Sequence, residues 1–332
     1  MIAIKKNYPG ILLAFVIGGI ATILGRIFPL IGGPVFGILL GMVIAFVPRK
    51  PVFHSGIAFT SKKILQYAII LLGFGMNLFQ IVAVGSQSLM IIVSTIATAL
   101  LVSFFVSKAL NIPSDVSTLV GVGSSICGGS AIAATAPVID AKDEDIATSI
   151  SVIFLFNILA ALLFPTFGSL LGLSDIGFGM WAGTAINDTS SVVAAGQSWA
   201  TSHGNDVALQ YATIVKLTRT LAIIPITLAI AIYRSKQSNT TTVRVRETFP
   251  WFILWFLAAA IFSTFVPLND SVVHGFTSLG KFFITMAMTA IGLNTNLLKL
   301  IKSGGKPIVL GFSCWVSIMI VSLVMQKIIG IW

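Results

Sequence analysis

The sequence contains few charged residues for its length. Of its 332 residues, 9% are charged and 56% are hydrophobic, whereas water-soluble globular domains carry about 25% charged residues. The mean hydropathy is +1.02, so the apolar surface is too large to be enclosed in one water-soluble core. The scarcity of charge therefore excludes a soluble globular chain and indicates an integral membrane protein.

Cysteine, histidine and enzyme signatures are also scarce. Cys127 and Cys314 lie far apart in apolar surroundings, so they indicate neither a disulfide framework nor a metal site. His54, His203 and His274 fall in predicted loops. The sequence has no GxxxxGK loop followed by Ser or Thr and no G-x-S-x-G nucleophile motif. We therefore expect no enzyme activity, no metal site and no resident cofactor.

Long hydrophobic runs, by contrast, recur along the whole chain. About 20 apolar residues span the hydrocarbon core of a bilayer, so these runs predict about eleven transmembrane helices. The predicted segments are 10–28, 31–47, 63–78, 88–108, 115–139, 147–171, 178–199, 207–232, 249–267, 279–298 and 307–330. No soluble block separates them, and we expect a single transmembrane domain over residues 1–332 with one long loop at 234–248.

The basic residues are distributed unevenly between alternate loops. Cytoplasmic loops of membrane proteins carry the excess of Lys and Arg, and this rule accounts for the net charge of +10 without a nucleic-acid partner. A cytoplasmic N-terminus and an external C-terminus leave only Arg26, Lys142, Lys281 and Lys327 outside. The cytoplasmic side then holds Lys5, Lys6, Arg49, Lys50, Lys62, Lys63, Lys108, Arg234, Lys236, Arg244, Arg246, Lys299, Lys302 and Lys306.

A weak internal repeat relates the third and fourth segments to the tenth and eleventh. A shift of 219 residues without a gap aligns Lys62 with Lys281, Ala68 with Ala287, Gly73 with Gly292, Asn77 with Asn296, Leu78 with Leu297, Gly85 with Gly304 and Ser94 with Ser313. Seven crossings separate the two copies, so they run in opposite directions, as an inverted-topology repeat requires. Chance similarity between apolar stretches is the alternative.

The fifth segment contains a polar, glycine-rich stretch where an apolar helix is expected. Irregular backbone at membrane depth persists only where protein or a water-filled cavity replaces its hydrogen bonds, and Pro113 and Pro137 flank the stretch. We therefore predict an interrupted helix, with close packing through small residues as the alternative. The candidate site residues here are Gly123, Ser124, Ser125, Cys127, Gly128, Gly129 and Ser130.

The seventh segment contains a similar stretch, which aligns with the first at a shift of 60 residues. It places Asp188 near mid-membrane depth, where an ionisable residue costs on the order of 3 kcal/mol and normally faces a cavity or a partner. The oxygen-rich neighbours suit a sodium ion or a proton, and a structural ion pair is the alternative. The candidates are Thr184, Asn187, Thr189 and Ser190 for substrate, and Asp188 and Ser191 for a coupling ion.

The eighth segment contains Lys216 and Arg219 near its middle. Residues three apart share one face of a helix, so the two cations repel each other unless an anion lies between them. The planar guanidinium of arginine suits carboxylate, sulfonate or sulfate. We predict that these side chains hold an anion; the alternative is that they neutralise Asp188 or extend to the interface.

Other polar residues in the spans are candidates for the same cavity, with interhelical hydrogen bonding as the alternative. They are Gln66, Asn77, Asn157, Asn294 and Asn296.

The polar stretches together resemble one known family. They read GVGSSICGGSAIAATAPVI, GTAINDTSSVVAAG, ATIVKLTRTLAIIPI and AIGLNTNL, and they resemble the YeiH-type sulfate exporter family over nearly the whole chain. The resemblance implies a bacterial inner-membrane protein related to the sodium/proton antiporter and bile-acid symporter superfamily, whose fold has inverted repeats and discontinuous crossing helices. A homodimer fits the related folds. Some relatives have His at the position of Asn187, so no proton-coupling role is carried over to that residue.

The expected protein is therefore an all-α polytopic membrane protein that acts as a secondary active transporter. Its expected partners are a small anion, of the sulfate or organic sulfonate class, and the lipid bilayer, with a sodium ion or a proton as coupling ion. Two alternatives stay open. An anion channel needs a continuous pore, and a membrane subunit of an ion-pumping enzyme complex needs soluble partner chains.

Overall fold

The computed structural model of the protein describes residues 2–28, 32–47, 49–235, 251–295 and 305–332. All regular structure within these ranges is helical, which confirms the predicted all-α class. Six helical spans among the described residues are long and apolar enough to cross a membrane, and three shorter apolar helices accompany them. The chain is therefore a polytopic membrane protein.

The helices are numbered in chain order. They are α1 Ile2–Ile27, α2 Gly33–Ala45, α3 His54–Phe59, α4 Leu65–Gly73, α5 Leu78–Leu110, α6 Ser114–Ser125, α7 Gly129–Ile139, α8 Asp143–Leu170, α9 Asp175–Ala185, α10 Thr189–His203, α11 Val207–Thr220, α12 Ile223–Ser235, α13 Phe252–Phe265, α14 Asp270–Asn294 and α15 Gly305–Ile329. A short 3-10 helix, Pro51–Phe53, precedes α3, and a π-helical turn, Thr60–Ile64, joins α3 to α4.

Several helix ends differ from the predicted segments. The fourth segment, predicted to begin at residue 88, begins ten residues earlier because Asn77 caps α5: its Oδ1 accepts the Phe79 N–H at 2.8 Å. The first part of α5 begins LFQIVAV and is mostly apolar, so the predicted gap at 79–87 reflects only its isolated Gln, Gly and Ser residues. Pro113 immediately precedes α6, whereas Pro137 lies inside α7 and does not end it. The histidines, predicted in loops, lie in α3, α10 and α14.

Part of the sequence-based prediction falls on residues outside the described ranges. The helix α12 extends through Ser235, so the predicted loop 234–248 is described only at its helical beginning. The basic residues Lys236, Arg244, Arg246, Lys299 and Lys302, and the repeat positions Asn296, Leu297 and Gly304, also lie outside the described residues.

The helices pack in two groups. The first group contains α1–α4, α13 and α14, with α14 lying against α1, α2 and α4. The second contains α5–α12 and α15, in which α9 packs on α11 and α5 packs on both α6 and α15. Between the groups, α10 lies against α2 and α14, and a salt bridge of 2.6 Å joins Lys281 of α14 to Asp206 before α11. The fold is therefore two bundles that meet along a shared hydrophobic core cluster, to which Ile38 and Ala287 contribute from the first group and Val193 from the second.

The proposed repeat has a counterpart in this packing. The third and tenth segments correspond to α4 and α14, which pack together, and the fourth and eleventh correspond to α5 and α15, which also pack together. Each helix therefore lies against its predicted equivalent. The inverted direction of the two copies stays a prediction.

Close backbone contact between α2 and α14 holds the first group together. A Cβ added to Gly41 would lie 2.5 Å from the Thr289 carbonyl oxygen, and one added to Gly292 would lie 2.3 Å from the Ile38 carbonyl oxygen. Small residues at such positions let membrane helices approach closely, which maximises van der Waals packing where no hydrophobic effect operates.

The glycine contact predicts a stability difference between two substitutions in α14. Gly292→Ala forces the two backbones apart and should destabilise the protein by about 1–3 kcal/mol. Gly275→Ala, on the same helix, is the control, because a Cβ there meets no atom within 4 Å. Thermal unfolding in detergent measures both, and equal melting temperatures would contradict the packing described here.

Candidate functional site

Both predicted polar stretches interrupt a membrane segment. The first interruption separates the end of α6 at Ser125 from the start of α7 at Gly129. The second separates the end of α9 at Ala185 from the start of α10 at Thr189. Gly128 has a φ of +69°, a backbone conformation that favours glycine. Each interruption leaves the carbonyl groups of one helix end and the N–H groups of another without helical partners.

The guanidinium of Arg219 binds the carbonyl groups at both C-terminal ends. From its position on α11, its Nε donates to the Ser125 oxygen at 2.8 Å and its Nη2 to the Ser124 oxygen at 2.6 Å, both at the end of α6. Its Nη1 donates to the Thr184 oxygen of α9 at 2.6 Å. The planar donor fork of arginine thus serves two helix ends with one side chain.

The ammonium of Lys216 joins the same two interruptions one turn away. Its Nζ donates to the Ile126 oxygen at 2.7 Å and to the Ile186 oxygen at 3.1 Å. Both cationic side chains are fully buried, so the acceptors they bind replace water completely. The predicted common face of Lys216 and Arg219 is therefore present, and it points at main-chain carbonyl groups.

These contacts balance the charge of the site. A helix C-terminus carries roughly half a negative charge, so the ends of α6 and α9 together offset about one of the two cations. Asp188 supplies a full negative charge nearby. Across the described part of the chain, no salt bridge joins either cation to Asp188. The prediction that Lys216 and Arg219 hold an anion stays a prediction, because their observed contacts are structural.

Asp188 caps the N-terminal end of α10. Its Oδ2 accepts the main-chain N–H of Ser190 at 3.0 Å, and the Ser190 hydroxyl contacts the same oxygen. Its own N–H donates to Oδ1 of Asn157 at 3.1 Å. The carboxylate is half-buried and lies at the positive end of the α10 dipole, where a negative charge is stabilised.

The N-terminal end of α7 is open. Its N-cap residue, Gly128, provides no side-chain hydrogen bond, and a Cβ added to Gly129 would meet no atom within 4 Å. Ser130 is exposed. A Cβ added to Gly128 would lie 3.6 Å from the Cβ of Asp188, so the open end of α7 is adjacent to the carboxylate-bearing residue.

The remaining candidates contribute in ways that differ from the predicted side-chain contacts. Ser124, Ser125 and Thr184 meet Arg219 through main-chain oxygens. The Thr184 hydroxyl instead contacts Ser322 at 2.6 Å. Cys127 is a buried free thiol. Thr189 and Ser191 face the Asp188 carboxylate through their main-chain N–H groups. The candidates without a role in these contacts are Gly123, which packs against Ile132 and Ile153, and Asn187 in the second interruption.

Among the secondary candidates in the described part of the chain, Asn157 alone reaches an interruption. Asn77 caps α5, and Gln66 accepts a hydrogen bond from Lys63 at 3.4 Å. Asn294 ends α14, and Asn296 lies outside the described residues. Ile126 and Ile186 were not predicted, because their function is carried by carbonyl groups that every residue possesses.

The contacts of Arg219 predict a large structural effect of its removal. Arg219→Met leaves three carbonyl groups buried without donors, and each unsatisfied group costs about 1–3 kcal/mol. We expect several kcal/mol of destabilisation and a strongly reduced yield of folded protein, measured by size-exclusion chromatography and thermal unfolding. Arg26→Met, at an exposed arginine of α1, is the matched control. A wild-type melting temperature for Arg219→Met would contradict the described function of these contacts.

The chain is similar over its full length to membrane proteins of one bacterial family. A family model described as conserved hypothetical protein 698 matches residues 9–311. The UPF0324 membrane protein of Streptococcus pyogenes serotype M6 is 57% identical over 98% of both chains. That of Fusobacterium nucleatum is 55% identical over 97% of this chain and 98% of its own. The chain therefore belongs to the UPF0324 membrane protein family, which confirms the resemblance to YeiH-type proteins seen in its motifs.

Proposed function

We propose that this protein is a secondary active transporter of a small anion, of the sulfate or organic sulfonate class, coupled to a cation. The proposal rests on the two interrupted segments, in which the C-terminal and N-terminal helix ends are occupied differently. Lys216 and Arg219 occupy the C-terminal ends, whereas the N-terminal end of α7 borders open space beside Asp188. Secondary transporters bind substrate and coupling ions at such discontinuous helices.

The polarity of the open helix end favours an anion. The first-turn N–H groups of a helix are free donors, and the helix dipole adds roughly half a positive charge. In α7 the N-cap residue, Gly128, supplies no side-chain acceptor for these donors, and the Cys127 thiol, a weak acceptor, lies near the Ala131 N–H. We place the anion at this end, where the buried charges of Lys216 and Arg219 stabilise it from across the interruptions.

The position of Asp188 accounts for the coupling. An anion at the start of α7 and an ionised Asp188 would repel each other, by about 4 kcal/mol for two unit charges 4 Å apart near a protein surface. A proton or a sodium ion on Asp188 removes this repulsion. Anion and cation then favour each other's binding, because coupling between two sites is reciprocal.

The two-bundle fold suits alternating access. The site lies within the second group of helices. The two groups meet through α10 with α2 and α14, α5 with α13, and the Lys281–Asp206 pair, and they share one hydrophobic core cluster. Movement of one group against the other would expose the site to either side. We place the transporter in the bacterial inner membrane as a homodimer, with a cytoplasmic N-terminus and an external C-terminus, and without enzyme activity or a resident cofactor.

Ligand-induced stabilisation identifies the substrate. We expect one of sulfate, methanesulfonate, bicarbonate or acetate to raise the melting temperature of the purified protein. Binding at 100 times the Kd stabilises the folded state by about 2.7 kcal/mol. The shift should be larger when sodium is present or the pH is lowered, since either neutralises Asp188. No shift with any of these anions would contradict an anion transporter of this class.

The coupling role of Asp188 predicts a specific defect. Asp188→Asn retains the N-cap of α10, because asparagine caps as well as aspartate, but it removes the charge. Uptake of the identified anion into proteoliposomes should lose most of its dependence on a sodium or proton gradient, with at least a tenfold smaller stimulation. Asp140→Asn is the control, since both residues tolerate the left-handed backbone at this position. Gradient-driven uptake by Asp188→Asn at the wild-type rate would remove the coupling assignment.

A further inference from the structure

Asn157 lies between the two interruptions. It is in the middle of α8, and its side chain is only 3% exposed. Its Oδ1 accepts the main-chain N–H of Asp188 at 3.1 Å. A main-chain N–H can only donate, so this contact fixes the orientation of the amide. The oxygen of Asn157 faces Asp188, and the Nδ2 group is left to face elsewhere.

The Nδ2 group of Asn157 lies beside the open end of α7. A Cβ added to Gly128, the N-cap residue of α7, would lie 3.4 Å from this nitrogen. The nitrogen donates to no acceptor among the described residues, and Asn157 has no further interaction there. The nitrogen is not among the fully enclosed polar atoms that lack a partner, so it borders the open space at the start of α7, where a ligand oxygen could accept its hydrogen bond.

We propose that Asn157 is a specificity residue of the transport site, with its Nδ2 donating to an oxygen of the bound anion. The inference rests on the proposed function and adds the residue that recognises the substrate. The first-turn N–H groups of α7 and the exposed hydroxyl of Ser130 provide further donors around the same space. A set made mainly of donors selects a small oxyanion, such as sulfate, a sulfonate or a carboxylate.

The oxygen and the nitrogen of the Asn157 amide face different groups, so the residue also connects the two ligands. Its oxygen holds the backbone of Asp188, and its nitrogen contacts the anion. The substrate and the coupling residue are therefore in contact with the same side chain. Asn157 connects the two ligands without direct contact between the anion and the carboxylate.

Two substitutions separate the binding role of Asn157 from a positioning role. Asn157→Leu removes both the donor and the acceptor at nearly constant size. Asn157→Asp keeps an acceptor for the Asp188 N–H and replaces the donor by a negatively charged oxygen. The measurement is the Kd of wild type and variants for sulfate and methanesulfonate, from the anion-dependent rise in melting temperature. Asn269→Asp is the matched control, since Asn269 is an exposed N-cap of α14.

We expect both Asn157 variants to bind the anion at least tenfold more weakly, with the larger loss for Asn157→Asp, because a charged acceptor repels the anion. Asn269→Asp should bind like wild type. If Asn157→Asp does not fold, Asn157→Gln takes its place: it keeps the donor, and should bind within a few-fold of wild type while Asn157→Leu does not.

Each of the remaining outcomes would overturn one stated claim, either the binding role of Asn157 or the proposed transport function. Wild-type affinity in Asn157→Leu, or in Asn157→Asp alone, would show that the Nδ2 group does not bind the anion, while the proposed transport function would stand. Equal losses in Asn157→Gln and Asn157→Leu would also overturn the binding role. A wild-type protein that responds to none of the tested anions would instead contradict the proposed function itself.

Discussion

The hydrogen bonds from Arg219 and Lys216 to the carbonyl groups of α6 and α9 are the interaction on which the site depends. A helix that ends inside a bilayer exposes carbonyl groups to a medium without water, where each unsatisfied group costs free energy. Because the C-terminal ends of α6 and α9 meet at one place, the free-energy cost of their unsatisfied carbonyl groups is doubled. Buried cations on one face of α11 resolve it, and the carbonyl groups in turn make burial of two positive charges tolerable.

This arrangement divides each interrupted segment into a closed half and an open half. The carbonyl ends are held by side chains that are themselves inaccessible. The N–H ends are served differently: Asp188 caps α10, and glycine without a side-chain cap begins α7. The closed half fixes the geometry of the backbone, so the open half can be exposed to a changing ligand without loss of the fold. In the proposed transport function, stability and ligand binding would thus lie at opposite ends of the same interruptions.

Local sequence predicted much of this site because the relevant signals are local. Glycine and serine around Gly128, and an acid within the seventh segment, indicated the two interruptions, and the spacing of Lys216 and Arg219 indicated their common face. The acceptors of these cations could not be predicted. Lys216 and Ile126 are 90 residues apart, and a carbonyl group leaves no trace in the residue type. Asn157 was named as a candidate for the cavity, but its contact with the Asp188 N–H could not be predicted, since an isolated asparagine in an apolar helix shows no partner until the helices pack.

The sequence predicted the all-α membrane class correctly, whereas several helix boundaries differ from the predicted ones. Hydropathy locates apolar runs, but the segment predicted from residue 88 began too late, because the Gly85–Gln87 stretch looks like a loop in sequence while the helix capped by Asn77 continues through it. Packing between segments distant in the chain decided the two bundles, and no local pattern carries that information.

The glycine contact between α2 and α14 has a mechanical consequence. At Gly41 and Gly292 the two backbones touch directly, so no side chain at these positions can change rotamer and allow the helices to slide. The first bundle is therefore stiff across this contact, while the second bundle contains the broken helices. Any rearrangement of the protein would therefore have to move α2 and α14 together, as one unit.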